Sequence, residues 1–253
     1  MILETPAWGV RKYAQFRQYF GHIDVNVPHA RLHVPPPLPR VRDLNKEVTV
    51  LRATPESPRM FQSDFLDLFS RTHWSIVPII WVPVCTLMLI YSTMRTSAGF
   101  VVTVLLALAG FVAWTLVEYW LHRTFFHWLP PGKWGERMHF FVHGVHHNWP
   151  KDKYRLVMPP AVSITLYFVF LALFYPLFGA TYVWSWHAGF VLGYVFYDVT
   201  HYYLHHYTPK SAYGIRLKKN HMLHHFKDPD ARFCVSNMVW DRMFGTAGEP
   251  EAK

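Results

Sequence analysis

Only two of the 253 residues are cysteine: Cys85 lies inside an apolar run and Cys234 in a polar tail. This excludes a disulfide framework and a cysteine-type zinc site. Acidic residues are also few, 16 against 25 lysines and arginines, and fewer than the 17 histidines. The formal net charge of +9 suits either nucleic acid or an anionic membrane surface. The first 25 residues lack a basic start followed by an apolar core. No signal peptide is therefore expected, and targeting falls to membrane spans. No unit repeats with a period of 20 to 50 residues, which argues against a solenoid, and the one low-complexity stretch is "PPPLP" at 35–39.

What is abundant is hydrophobic, 51% of the chain, with 18% aromatic. Four long apolar stretches occupy about 74–94, 98–121, 156–178 and 180–204. A bilayer core of ~30 Å needs about 20 helical residues, so each is long enough to cross. Short turns join the first to the second and the third to the fourth. The expected fold is an all-α integral membrane protein: four transmembrane helices in two hairpins, capped by a cytoplasmic helical domain. Residues 1–73 form a cytoplasmic N-terminal segment, and 74–253 form the membrane domain. Within the first segment "MFQSDFLDLF" (60–69) places Met60, Phe61, Phe65, Leu68 and Phe69 near one face. This reads as an interfacial helix or as a helix packed on the protein.

Lysine and arginine set the orientation. Ten occur up to residue 73, six in 122–155 and eight from 205 onward, while the two turns hold Arg95 alone. The side with 24 of the 25 is expected to be cytoplasmic, with both termini and the central loop on it. A membrane surface thus accounts for the charge, and no nucleic-acid partner is expected.

Ten histidines gather on that same side. "HRTFFH" supplies His122 and His127, and "HGVHH" supplies His143, His146 and His147. "HYYLH" supplies His201 and His205, and "HMLHH" supplies His221, His224 and His225. On a helix i, i+3 and i+4 share a face, so each triplet can converge. Neutral imidazole suits iron or zinc, and ten ligands exceed the needs of one ion, so two metals fit. A lone histidine pair is common on helix surfaces, but two pairs and two triplets on one membrane face are not explained that way. Glu118 and Asp198 lie late in apolar spans, four and three residues before His122 and His201. Intramembrane acids usually have a partner. Each is expected to accept the ring N–H of the following histidine, the alternative for Glu118 being a basic residue such as Arg123. His139 and His206 are not expected as ligands, and His187 reads as structural. Tyr197 and Asp198, in the aromatic end of the fourth stretch with Tyr194, Phe196, Tyr202 and Tyr203, are candidates for substrate head-group contacts. An interfacial aromatic belt explains the tyrosines equally well.

The spacing His-x4-His, His-x2-His-His, His-x3-His, His-x2-His-His resembles the membrane fatty acid hydroxylase and sterol desaturase superfamily. "SPRMFQSDFLDLFSRTHWSIVPIIWVPV" (57–84), "EYWLHRTFFH" (118–127), "HGVHHNWPKDKYRLVMPP" (143–160), "DVTHYYLHH" (198–206) and "VWDRMFGT" (239–246) resemble its fatty acid 2-hydroxylases. The resemblance implies a monooxygenase that inserts one oxygen from O2 beside a fatty acyl carbonyl, in sphingolipid or ceramide chains. It implies two iron ions on the ten histidines, with zinc able to replace them in a purified sample. Many members carry an N-terminal cytochrome b5 domain with a His-Pro-Gly-Gly motif. That motif is absent, so no haem is expected on this chain and electrons would come from a separate donor such as cytochrome b5 or a ferredoxin with its reductase. The expected membrane is the endoplasmic reticulum in a eukaryote or the inner membrane in a bacterium. The competing functions are a sterol or carotenoid oxygenase of the same superfamily and a membrane metal carrier. A carrier should place polar ligands at the midplane and on both faces.

Overall fold

The computed structural model describes residues 60–61 and 63–248, and within them the fold is all-α. His22, His29, His33 and most of the N-terminal segment lie outside the described residues. In chain order the helices are α1 (Asp64–Phe69), α2 (Ile76–Arg95) and α3 (Gly99–Trp120), which runs into a π-helical turn (Leu121–Phe126). Then come α4 (Gly132–His139), a second π turn (Phe140–Gly144), α5 (Val145–Asn148), α6 (Pro160–His206), α7 (Ala212–Phe226) and α8 (Val239–Met243).

Among the described residues, three helical stretches are long and apolar enough to cross a membrane: Ile76–Arg95, Gly99–Phe126 and Pro160–His206. They are hydrophobic on all sides, as expected of helices whose outer face meets lipid. Ile79, Leu87, Leu105 and Leu177 all point outward. The 47-residue α6 covers both of the last two apolar stretches and is broken at Gly179, where φ is 61° and ψ is 177°. That positive φ is costly for a residue with a Cβ and open to glycine. Rings from the two sides of the break meet: Phe170 lies 4.8 Å from Phe190, and Phe178 stacks at 4.5 Å on Trp186. The chain therefore reverses direction at Gly179.

α3 and α2 both pack along α6. The shared core includes Trp81, Met88, Trp114, Phe190 and Tyr194. Lipid tails offer no less apolar a surface than these side chains, so close packing and hydrogen bonds must hold the helices together. Both are present. Ser92 of α2 bonds Ser185 of α6 at 2.5 Å and receives a bond from Thr103 of α3 at 3.3 Å. Glycines let the backbones touch: a Cβ added to Gly189 would lie 1.8 Å from the carbonyl oxygen of Ala107. Gly189→Val is expected to push α3 and α6 apart and cost at least the ~1–3 kcal/mol of core overpacking. A thermal melt in detergent checks this, with outward-facing Val101→Ala unchanged.

Candidate metal centre

The centre is assembled at one end of the long helices from four separate parts of the chain. The π turn after α3 carries His122 and is capped by His127. An α-helix would turn residues five apart well away from each other; the wider π turn realigns them. Their Nε2 atoms lie 3.2 Å apart. The second π turn and α5 carry His143, His146 and His147, the end of α6 carries His201 and His205, and the end of α7 carries His221, His224 and His225.

All ten histidines fall into two groups of five. His122, His127, His143, His147 and His224 form the first, and His146, His201, His205, His221 and His225 the second. In each group the five ring nitrogens that point inward lie within 4.8 Å of one another. In the first, His122 Nε2 is 3.1 Å from His143 Nε2, which is 2.9 Å from His147 Nε2, and His127 Nε2 is 3.1 Å from His224 Nε2. In the second, His205 Nε2 is 2.8 Å from His221 Nε2, and His225 Nε2 is 3.0 Å from His146 Nε2. The rings of His147 and His225 stack at 4.2 Å where the groups meet.

Neither triplet converges on a single group. His143 and His147 enter the first while His146 crosses to the second; His221 and His225 enter the second while His224 crosses to the first. Helical geometry explains the crossing. Residues i and i+4 sit about 40° apart, and i+3 lies on the other side of i, so the middle histidine diverges from the last by about 100°.

Five imidazoles brought nitrogen to nitrogen have too few protons and too many lone pairs to satisfy one another. A divalent cation satisfies all of them at once, and nitrogen-only shells suit iron or zinc. Nine of the ten histidines are buried, with His127 half-buried. Burial, reinforced by the neighbouring histidines, holds His143, His221 and His225 well below the usual imidazole range. Their rings are neutral at pH 7, the form that binds a metal. The two histidine-rich clusters are thus able to bind metal ions.

The supporting contacts differ from the expected ones. His122 Nδ1–H donates to the backbone carbonyl of Phe233, and His224 Nδ1–H to that of Ala231 at 2.7 Å. Glu118 does not orient His122. Its carboxylate accepts the backbone N–H groups of Val235 and Ser236, both at 2.8 Å, and the Ser236 hydroxyl. Nor does Glu118 pair with Arg123, which donates to the Tyr119 hydroxyl at 2.8 Å. Asp241 accepts from the N–H groups of Phe233 and Cys234 at 2.8 and 3.0 Å. Two buried carboxylates therefore hold the 231–236 segment, and its carbonyls hold two histidines of the first group. Neither this segment nor Asp241 is legible in the sequence, because the groups that join them are backbone N–H and carbonyl groups, which leave no side-chain signature. Likewise Asp198 does not reach His201; it accepts the N–H of Met158 at 3.1 Å. Tyr197 is buried, its ring centre 5.7 Å from that of His201. Of the neighbouring aromatics Tyr194 and Tyr202 are buried, while Phe196 and Tyr203 face outward as a belt would.

A second buried network fixes the loop after α5. Arg155 pairs with Asp67 at 2.9 Å and Asp152 at 3.3 Å, and Arg71 pairs with Asp67 at 3.1 Å. The backbone N–H of Thr72 adds a bond to Tyr154 O at 2.6 Å. His139, His187 and His206 belong to neither group: His187 packs on Tyr167 inside α6, and His206 on Tyr202.

Comparison with known proteins agrees with this geometry. The family model described as fatty acid hydroxylase matches residues 107–246, which include all ten histidines. The dihydroceramide fatty acyl 2-hydroxylase FAH1 of Arabidopsis thaliana is 40% identical over 194 residues, 77% of this chain and 81% of that protein. The ceramide very long chain fatty acid hydroxylase scs7 of Schizosaccharomyces pombe is 41% identical over 191 residues, 73% of this chain and 54% of that one. A solved structure described as full length scs7p, with only the hydroxylase domain visible, superposes with a TM-score of 0.71 at 35% identity, covering 78% of this chain and 75% of that one. With the family model spanning more than half of its length, this multi-pass membrane protein belongs to the fatty acid hydroxylase family.

Proposed function

We propose that the protein is a membrane fatty acyl 2-hydroxylase acting on the long acyl chains of ceramides or related sphingolipids. The observation that carries this is the pair of five-histidine groups at one end of the apolar helices. Names of the relatives, which act on dihydroceramide and ceramide acyl chains, favour acyl chains over sterol or carotenoid rings. A metal carrier is disfavoured because both groups lie at the same end.

Four spans in two hairpins fit the reversal at Gly179, and the Lys/Arg bias assigns the histidine end to the cytoplasm. α1 supports a seat in the headgroup layer. Phe65, Leu66, Leu68 and Phe69 are exposed while Asp67 faces the protein, the reverse of a helix made for water.

An aliphatic C–H bond does not yield to acid–base chemistry at useful rates. Two iron ions, His122, His127, His143, His147 and His224 holding one and His146, His201, His205, His221 and His225 the other, would supply the redox chemistry that activates O2. Electrons would come from a separate donor such as cytochrome b5 or a ferredoxin. The chain's own part is to hold neutral imidazoles in place, keep water out through burial, and let one C–H of the substrate approach. Tyr197, against His201, is the residue we assign to contact with the substrate's polar head; Asp198 helps by fixing Met158 and the loop before α6.

Mass spectrometry of lipids after expression tests the assignment. The expected products are 2-hydroxy acyl chains, absent in His143→Ala and His221→Ala. Oxidised rings with unmodified acyl chains would replace it with the sterol or carotenoid reading, and metal uptake with no oxygenated lipid would support a carrier.

A further inference from the structure

A groove of about 550 Å³ runs between α2 and α3, with α6 as its floor. Its walls include Leu89, Met94, Phe100, Val104 and Phe111, and its floor Leu192. The hydroxyl of lining residue Thr103 is turned to Ser92. Apart from Thr93, the surface left for a guest is hydrocarbon, inside the membrane-crossing part of the chain, where a charged ligand gains nothing.

Its depth is the informative feature. Phe111 is eleven residues before His122 on one continuous helical stretch, which is about 16 Å at ~1.5 Å per residue. Phe100, at the other end, is twenty-two residues away, or about 33 Å. One leaflet accounts for about half of a ~30 Å hydrocarbon core. The groove thus begins near the bilayer midplane and extends through the far leaflet. Leu192 on the floor belongs to the helix that carries His201, nine residues further on, and gives a similar distance of about 13 Å. A chain whose carbonyl end sits at the histidines and which ends within its own leaflet stops short of the groove; a longer one enters it.

We infer that this groove seats the terminal methylenes of very long acyl chains and sets the chain-length preference of the enzyme. The inference rests on the acyl 2-hydroxylase reading and adds a residue-level determinant of substrate. Val104→Trp fills the groove from a lipid-facing position, 39% exposed, where folding is not at stake. Val101→Trp, 67% exposed and outside the lining, is the control.

Iron-loaded protein in lipid nanodiscs is supplied with palmitoyl and lignoceroyl ceramides in competition. Val104→Trp should lower lignoceroyl hydroxylation relative to palmitoyl by about tenfold, roughly the worth of two buried methylenes, and Val101→Trp should change neither. Independently of turnover, zinc-loaded wild type is irradiated with a lignoceroyl ceramide carrying a diazirine at the chain end. Label is expected around residues 100–104 at the deep end of the groove, displaced by unlabelled lignoceroyl ceramide, whereas the palmitoyl analogue should label no deeper than the Phe111 end. Equal loss of both chain lengths in Val104→Trp, or equal labelling of residues 100–104 by both probes, overturns the inference and identifies ordinary far-leaflet lipid as the occupant. If wild type makes no 2-hydroxy product from either lipid, the functional reading fails, while the labelling still decides whether long chains occupy the groove.

Discussion

Pairing His146→Ala with His201→Ala is expected to leave a protein that binds one metal ion per chain, whereas pairing His146→Ala with His143→Ala takes one ligand from each group and should weaken both ions alike. His146 and His143 are three residues apart in one triplet but belong to different groups; His146 and His201 are far apart in sequence but share one. Losing two of five imidazoles from the same group should lower that ion's affinity by well over the ~10–100-fold that outer partners are worth. The other group keeps its five. His224→Ala with His122→Ala provides the mirror case, sparing the second group. Metal analysis after dialysis against a mild chelator reads these stoichiometries directly. If each triplet held its own ion, the His143/His146 pair would spare one ion and the His146/His201 pair would damage both, the opposite pattern.

Glu118→Ala should be the most damaging substitution outside the histidines. It leaves the N–H groups of Val235 and Ser236 and the Ser236 hydroxyl without their buried acceptor. At ~1–3 kcal/mol for each buried donor left unsatisfied, the expected loss is about 3 kcal/mol or more, a large share of the stability of an ordinary domain. The effect should be local as well as global. With the 231–236 segment released, the carbonyls of Ala231 and Phe233 no longer fix the rings of His224 and His122. The first group's ion should be lost preferentially, and Glu118→Gln, which keeps one carbonyl acceptor, should retain more of it. A variant with wild-type melting temperature and both ions would show that the carboxylate has no such role.

The hydrophobic runs make the long helices legible, because a membrane span is written in composition and length alone. The ten histidines are legible as a set for a related reason: so many imidazoles beside an apolar slab would be costly to bury without a metal to bind them. Their partition is not legible. Periodicity tells which residues share a helix face, but not that His146 and His224 each reach across to the partner group. One cue is present in the five-residue spacing of His122 and His127, which an α-helix cannot bring together and a π turn can. Glu118 stands out in the sequence as an acid needing a partner. Its partner, however, is backbone 117 residues away, and no local pattern points there. Asp198 shows the same limit, its acceptor role being spent on Met158. Asp67, placed by sequence on an amphipathic helix, proves to be the buried side of that helix, because Arg71 and Arg155 meet it from the protein interior.

The proposed activity requires the two imidazole groups to hold a redox-active pair of ions. The decisive measurement gives heavy-oxygen-labelled O2 to reduced, iron-loaded protein with a ceramide substrate, beside the same protein loaded with zinc, which cannot cycle electrons. One labelled oxygen atom is expected at the carbon next to the acyl carbonyl in the iron sample and none in the zinc sample. Product from the zinc-loaded form, or none from the iron-loaded form, would contradict the proposed activity.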